Sequence, residues 1–316
     1  MQVAAIDIGT NSVLLLVADV AGGALLARHQ RSMVTRLGQG VDAAGRLDDR
    51  AVERTLEALA ELAADIAASD ATQTAAVATS ALRDAESSAE FLDRAESVLG
   101  VRPRVISGAE EAELTFTGAV LGLELPAESI GVFDIGGGST EIITGQVAPE
   151  GTAQLDASVS LDVGCVRLTE RFMAHDPPTP GELDAVRHAV RDQLRAAPAL
   201  AGKPLIGVAG TITALAAVMN DVWPYDGELI HGRPLSRRAI QRAVASLGAK
   251  PLEERRRLRC LDPKRADVIV TGAVIVDELM AYANADRVLV SDRGIRWGLA
   301  KRLAGPRAPA EHRSAE

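Results

Sequence analysis

Two copies of one short motif constrain the fold of this chain more than any other feature. Residues 7–12 read D-I-G-T-N-S, and residues 134–141 read D-I-G-G-G-S-T-E. Each copy follows a short apolar run and leads into another, which predicts a strand, a tight turn and a second strand. Because the copies lie a whole domain apart rather than one solenoid repeat apart, we expect two similar lobes.

The second turn contains three consecutive glycines, Gly136, Gly137 and Gly138. Glycine permits positive φ and lets a ligand approach the main chain closely, because no side chain blocks it. Such a turn exposes a row of N–H groups that can bind phosphate. An ordinary hairpin with a flexible tip would carry the same glycines, but the second copy favours two turns that hold a phosphate chain across a cleft.

Two carboxylates, Asp134 and Glu141, bracket the second turn. A hard cation such as Mg²⁺ prefers one or two carboxylates together with phosphate oxygens of a substrate. The first copy offers Asp7 at the position that corresponds to Asp134. We therefore assign Asp134, Glu141 and Asp7 to a site for Mg²⁺, or alternatively Mn²⁺.

Composition favours a cytoplasmic protein of two domains. The chain has 316 residues, 47% of them hydrophobic, and a net charge of −9, which disfavours binding to nucleic acid or to an anionic membrane. No apolar run approaches the roughly 20 residues that a membrane span needs. The cysteines, Cys165 and Cys260, lie far apart without a C-x-x-C spacing, so we expect reduced thiols.

The two motifs resemble the phosphate motifs of the actin-like ATPase superfamily, and within it they are similar to the exopolyphosphatase and guanosine pentaphosphate phosphohydrolase family. The resemblance implies an α/β fold of two actin-like (ribonuclease H-like) domains with a cleft between them. Domain I would comprise residues 1–122 and about 293–305, domain II residues 123–292, and residues 306–316 a disordered tail. The segment 164–172 is also similar to the family.

Two later segments extend this resemblance. Residues 265–275 resemble an interdomain helix of the superfamily, in which small residues such as Gly272 allow close helix crossing. Residues 293–299 resemble the closing motif of the family, although Trp297 stands where an acidic or small polar residue is expected. Residues 223–238, which include His231, read as a loop, and the basic run 253–259 reads as a solvated face or as a guide for a polyanion.

The segment 107–114 offers the candidate general base. Ser107 and Glu110 have the S-x-x-E spacing of a capping box, which would occupy Glu110 with the helix N-terminus and leave Glu111 free. Glu111 could merely complement the helix dipole. It corresponds in position, however, to the glutamate that the family uses as general base, so the resemblance favours the catalytic role.

Arg83 follows the strand at 75–79 and is expected at the start of a helix. An arginine is unfavourable beside the positive end of a helix dipole unless an anion compensates, which suggests that Arg83 faces the phosphate site. A surface arginine is the alternative interpretation. The resemblance supports the phosphate site.

Taken with the resemblance, these residues predict hydrolysis of a terminal phosphoanhydride, with Glu111 as catalytic base. The predicted phosphate ligands are Thr10, Asn11, Ser12, Arg83, Gly136, Gly137, Gly138 and Ser139. Inorganic polyphosphate is the expected substrate and guanosine pentaphosphate the alternative, with a homodimer as the expected assembly. A small-molecule kinase and an alarmone-binding sensor of the same superfamily remain alternatives.

Overall fold

The structure, a computed structural model, describes residues 1–22, 24–125, 129–148 and 153–305. The first lobe is built around a five-stranded sheet of order β3-β2-β1-β4-β5. Its elements are β1 (Gln2–Ile8), β2 (Ser12–Ala21), β3 (Ala24–Val34), α1 (Val41–Ala44), α2 (Asp49–Ala67), β4 (Ala71–Ala78), α3 (Ser80–Asp84), α4 (Ser88–Leu99), β5 (Arg104–Val105) and α5 (Gly108–Ala119).

The second lobe is built around a six-stranded sheet of order β10-β11-β9-β6-β7-β8. Its elements are β6 (Ile130–Ile135), β7 (Thr140–Val147), β8 (Ala153–Leu161), α6 (Cys165–Phe172), α7 (Pro180–Leu194), β9 (Leu205–Val208), α8 (Ala209–Met219), α9 (Gly227–Ile230), β10 (Pro234–Ser236), α10 (Arg237–Gly248), α11 (Leu252–Arg256), α12 (Ile269–Tyr282) and β11 (Arg287–Val290). The final helix, α13 (Ile295–Leu303), packs against the first lobe.

Both sheets share one topology. In the first, β1, β2 and β3 form an antiparallel meander, and β4 then pairs in parallel with β1. In the second, β6, β7 and β8 form the same meander, and β9 pairs in parallel with β6. The repeated motif lies in the first hairpin of each sheet. The predicted α/β fold class, with two actin-like (ribonuclease H-like) domains, is confirmed, whereas the exact domain boundaries stay predictions.

The local signals of the longer helices are confirmed. Asp48 caps α2 by accepting a hydrogen bond from the N–H of Ala51, and the leucines of this helix face the core. Thr179 and Glu182 form a reciprocal capping box at α7, with Pro180 as the first helical residue. None of the described helices is long and apolar enough to cross a bilayer.

The expectation of a loop over residues 223–238 is wrong. This segment contains the short helix α9, strand β10 and the start of α10. Asp226 caps α9 by accepting from two N–H groups, and Ile230 and Leu235 are buried. The proline and glycine residues that suggested a loop lie at the ends of these short elements. The tail at 306–316 lies outside the described residues.

Trp297 is a core residue of the first lobe. It is 2% exposed on α13, where it packs with residues of β1 and β2, and the Arg293 guanidinium lies 4.4 Å from the centre of its ring. An indole at this position therefore stabilises the return of α13 onto the first lobe. Trp297, which departs from the family pattern, thus packs in the core of the first lobe.

Helices α5 and α13 cross at van der Waals distance. A Cβ atom added at Gly298 would lie 2.0 Å from the carbonyl oxygen of Leu114, and one at Gly118 would lie 2.1 Å from that of Gly294. The backbones of the two helices are thus in direct contact. Glycine is required here for its size.

We predict that Gly298→Ala lowers the free energy of unfolding by about 1–3 kcal/mol or more, because the added methyl group meets rigid backbone. Gly181→Ala is the matched control, since Gly181 also lies in a helix but has open space around its Cβ position. The control should change stability by less than about 1 kcal/mol, in the stabilising direction. Urea unfolding of both variants measures the difference, and equal effects would contradict the close crossing.

Candidate active site

A cavity of about 700 Å³ lies between the two repeated turns and is lined by residues of both lobes. It brings together most of the residues that the sequence predicted for the site. Those that line it are Asp7, Thr10, Asn11, Ser12, Glu111, Asp134, Gly136, Gly137, Ser139 and Glu141. Arg83 and Gly138 do not line it, although each contacts a residue that does.

The two turns have the same geometry. The N–H of Gly9 donates to the carbonyl of Ser12 at 3.0 Å, and the N–H of Gly136 donates to that of Ser139 at 2.9 Å. The expected positive φ is wrong for the three glycines of the second turn. A Cβ atom at Gly137 would lie 3.1 Å from Cγ2 of Thr10. Small size, which lets the turns approach each other, explains glycine here.

In the second turn the carbonyl groups are held by the start of α6. The carbonyl of Gly136 accepts from the N–H of Cys165 at 3.0 Å, and that of Gly137 accepts from the N–H of Val166 at 2.9 Å. These bonds fix the direction of the peptide planes. Within the described residues, the N–H of Gly137 donates to no backbone carbonyl, so it is available to a ligand in the cavity.

The first turn is held in the same way by the segment that follows β3. The carbonyl of Thr10 accepts from the N–H of Gly38 at 2.8 Å, and that of Asn11 accepts from the N–H of Thr35 at 3.0 Å. The amide side chain of Asn11 is buried and has no hydrogen-bond partner in the structure. A buried amide without a partner is costly, which indicates that a polar ligand belongs beside it.

Three buried carboxylates form the base of the cavity. Asp134 and Glu141 are directly opposite each other on β6 and β7, and Asp7 is the corresponding residue of β1. Burial, reinforced by the charge of Glu141, raises the pKa of Asp134 well above its usual value. Burial also raises the pKa of Glu141, which accepts a hydrogen bond from Ser160 at 2.8 Å.

Asp7 belongs to the same electrostatic cluster. Burial raises its pKa to about 7, although the nearby Arg296 lowers it and Glu141 raises it further. Within the described residues, one carboxylate oxygen of Asp7 is buried without a hydrogen-bond partner. The charge of Arg296 therefore offsets only part of the cost of burying this carboxylate.

The donor set fits a hard divalent cation. Buried carboxylates that repel each other, as Asp7, Asp134 and Glu141 do, would be stabilised by Mg²⁺ bound among them. No three ligand side chains in the described part of the chain are close enough to hold a metal ion by themselves. Water and phosphate oxygens must therefore complete the coordination, as is usual for Mg²⁺.

Glu111 lies in the first turn of α5, and its carboxylate is buried. Ser107 caps this helix by accepting from the N–H of Glu110 at 3.2 Å. The expected reciprocal half of the capping box is wrong, because the side chain of Glu110 pairs with Arg104 at 2.5 Å and with Arg302. Glu110 is thus occupied, but by arginines that the sequence pattern did not indicate.

Arg83 pairs with Glu111 at 2.5 Å and also donates to the carbonyl of Ile106 at 3.0 Å. The expectation that Arg83 lies at a helix N-terminus is wrong, because α3 is only five residues long and Arg83 belongs to its last turn. Burial and the charge of Glu141 raise the pKa of Glu111 well above its usual value, while Arg83 lowers it. The anion that pairs with Arg83 in the structure is therefore the carboxylate of Glu111, the candidate general base.

Two further arginines in the cavity wall were not assigned from the sequence. Arg265 donates to the hydroxyl of Ser12 at 3.0 Å. Its guanidinium packs directly against Gly210, where a Cβ atom would lie 1.9 Å from Nη1 of Arg265. Arg296 is buried and donates to Gln30 at 3.0 Å. For Arg296, the sequence signal was an arginine next to the apolar residues Ile295 and Trp297, because a buried guanidinium needs an anionic partner, which is Asp292 at 3.3 Å.

Two actin-like lobes around a cavity with paired phosphate-type turns define a phosphate-handling enzyme of the actin-like class. Residues 16–305 match the Ppx/GppA phosphatase family, so the chain belongs to this family. It is 41% identical to exopolyphosphatase 2 of Mycobacterium tuberculosis, over 96% of this chain and 99% of that protein.

Solved structures agree with this assignment. An exopolyphosphatase-like protein is 34% identical and superposes with a TM-score of 0.88, over 96% of this chain and 97% of that one. The Ppx-GppA enzyme of Aquifex aeolicus is 34% identical with a TM-score of 0.80, over 96% and 99% of the two chains. The prediction of a phosphoanhydride hydrolase is confirmed as the enzyme class.

The raised pKa of Asp7 predicts a pH-dependent stability in metal-free protein. An acid whose pKa is higher in the folded state is stabilised by protonation, so this contribution is present at low pH and is lost as the pH rises toward 7. Relative to Asp7→Asn, the wild type should lose about 2–3 kcal/mol of unfolding free energy between pH 5 and pH 8.

Urea unfolding in the presence of a chelator, at several pH values, measures this difference. Asp7→Asn is its own matched reference because it keeps the shape of the side chain and removes only the titrating group. Parallel pH profiles for the two proteins would contradict the electrostatic description of Asp7.

Proposed function

We propose that this protein is an exopolyphosphatase, which releases terminal orthophosphate from inorganic polyphosphate. The observation that carries this proposal is the arrangement of both phosphate-type turns, three buried carboxylates and Glu111 around one cavity. The similarity to exopolyphosphatase 2 of Mycobacterium tuberculosis supports it. A cytoplasmic location and a homodimer are part of the same proposal.

The turns would bind and orient the terminal phosphates. The free N–H of Gly137 and the buried amide of Asn11 face the cavity from opposite lobes, and both can donate to phosphate oxygens. The hydroxyl groups of Thr10, Ser12 and Ser139 add donors at the same place. Such preorganised donors fix the phosphorus for attack in line with the bond that breaks.

Mg²⁺ or Mn²⁺ bound beside Asp7, Asp134 and Glu141, with water and phosphate oxygens as its further ligands, would neutralise negative charge on the phosphate oxygens. The chain itself would supply the base. A water oxygen bonds to the terminal phosphorus, the bridging P–O bond breaks, and the bridging oxygen leaves with the electron pair on the shortened chain. The proton from the water passes to the carboxylate of Glu111.

The surroundings of Glu111 suit this role. A base works best when its pKa lies near the working pH, and burial raises the pKa of Glu111 in that direction. Arg83 opposes this effect and orients the carboxylate through one of its oxygens. Glu111 therefore has both a raised pKa and a fixed position. Arg83 would act as a positioning residue, in addition to its predicted contact with phosphate.

Guanosine pentaphosphate remains the second candidate substrate, because it presents the same terminal anhydride. Trp223 and Tyr225 favour it, since both line the cavity and Trp223 is 61% exposed. An exposed indole provides a stacking surface for a nucleobase, whereas polyphosphate has no group that stacks on it. The choice between the two substrates is therefore a quantitative question of kcat/KM.

We expect purified protein with Mg²⁺ to release orthophosphate from long-chain polyphosphate, with a higher kcat/KM than for guanosine pentaphosphate. A competition assay with both substrates measures the ratio. Release from neither, and none from nucleoside triphosphates, would contradict the hydrolase proposal. Consumption of ATP only when an organic acceptor is added would indicate a kinase, and tight alarmone binding without phosphate release would indicate a sensor.

Glu111→Gln keeps the shape of the side chain and removes the base. We expect it to lower kcat roughly 10²- to 10⁴-fold, the usual contribution of a positioned base, while substrate binding survives. Steady-state kinetics together with calorimetric binding separate the two effects.

Glu110→Gln is the matched control, because Glu110 is the neighbouring residue of the same helical turn and pairs with Arg104 and Arg302 outside the cavity. Its kcat should stay within a few-fold of the wild type. Equal losses at both positions would indicate a damaged helix start, and full activity of Glu111→Gln would remove Glu111 from the mechanism.

A further inference from the structure

The lining of the cavity includes, at exposed positions, a cluster of arginines that the mechanism does not use. Arg256, Arg257 and Arg259, which we call the arginine rim, follow one another at the end of α11 and just beyond it. All three are exposed to solvent and line the same cavity as Glu111. Their guanidinium groups can attract a polyanion, although Asp262, which lines the same cavity, offsets part of this attraction.

We propose that the arginine rim is an outer subsite, which binds phosphate groups of the polyphosphate chain that are distant from the bond being hydrolysed. This proposal rests on the proposed function, because it assigns a second contact to the same substrate. It names the residues that would set the preference for long chains over short ones.

The pairing of these arginines leaves them available to a ligand. Arg257 has no ion-pair partner within the described residues. Arg256 pairs with Glu253 at 2.5 Å and Arg259 pairs with Asp221, but all four of these side chains are largely exposed. Exposed pairs contribute little, so a phosphate group can replace the carboxylate as partner of the guanidinium.

The segment that presents the rim is fixed to the protein by the neighbouring arginine. Arg255 is buried and donates to Asp176 at 2.8 Å, and Asp176 also accepts from the N–H of Leu252 at 2.8 Å. This contact anchors α11 to the turn between α6 and α7. The arginine rim is therefore presented from an anchored backbone, which reduces the entropy lost when a ligand binds.

The size of the cavity agrees with a second contact. A volume of about 700 Å³ is typical of a site for a ligand of drug size, which is larger than one terminal phosphate. The two turns and the carboxylates account for its base. The rest of a polyphosphate chain must pass its outer part, and guanidinium groups there can contact successive phosphates. The acidic net charge of the protein does not oppose this, because charges beyond about 8 Å are screened at physiological salt.

The test compares long-chain polyphosphate with tripolyphosphate, which we expect not to reach the arginine rim when its end occupies the two turns. We expect the double variant Arg256→Ala and Arg257→Ala to raise KM for the long chain about tenfold, from the loss of two partly exposed charge contacts. Its kcat for the long chain should stay within twofold of the wild type. KM for tripolyphosphate should change less than twofold.

The matched control is the double variant Arg238→Ala and Arg242→Ala. Both residues are exposed on α10 of the same lobe and do not line the cavity. Their substitution removes the same amount of positive charge as the substitution of Arg256 and Arg257. The control should leave the ratio of the two KM values unchanged. An equal rise of KM for both substrates, an equal effect of the control, or no change for the long chain would each overturn the proposal.

Calorimetric binding of long-chain polyphosphate, measured in the Glu111→Gln background without turnover, separates this proposal from the proposed function. Weaker binding of the rim variant there supports the outer subsite even if the wild type releases no orthophosphate. Unchanged binding overturns the outer subsite even if the enzyme is an active exopolyphosphatase.

Discussion

The meeting of buried carboxylates from two lobes is the constraint on which the rest of this structure depends. Asp7 of the first lobe lies near Asp134 and Glu141 of the second, and burial raises the pKa of all three. Their mutual repulsion opposes the closed arrangement of the lobes. Attraction elsewhere must offset it, and ion pairs across the cleft supply part of that attraction, as between Arg36 and Asp267 at 2.8 Å.

Through this balance, a bound ligand would affect the stability of the observed arrangement of the lobes. The ion pairs Arg36–Asp267 and Arg171–Asp42 are partly exposed, so each contributes little, whereas the Arg167–Asp42 pair is largely buried. A cation among the carboxylates, or a phosphate between the turns, adds attraction where the protein alone has repulsion. By linkage, any ligand that prefers the closed arrangement also stabilises it. The turns themselves need no rearrangement, because backbone hydrogen bonds to Gly137 and Thr10 already fix their carbonyl groups.

The sequence was sufficient for the lobes and the base of the site, because the repeated motif and its apolar flanks are local patterns. The sequence was insufficient wherever a contact between distant residues determines the position or the partner of a side chain. Glu110 pairs with Arg104 and Arg302, and Arg302 lies 192 residues further along the chain. The glycines of the second turn illustrate a different difficulty: one residue type serves both positive φ and close approach, and only the position of Thr10 distinguishes the two.

The distribution of charge in the cavity bears on how an acidic protein can accept a polyanion. The carboxylates of Asp7, Asp134 and Glu141 are buried, whereas Arg256, Arg257 and Arg259 line the cavity at exposed positions. On the proposed function, a phosphate chain would be attracted by the arginine rim but repelled at the base unless a cation were already there or arrived with it. Metal and substrate would then favour each other's binding, because each would remove the charge that the other alone would meet. An isolated phosphate group would gain less from such a site than a chain that contacts both the base and the arginine rim.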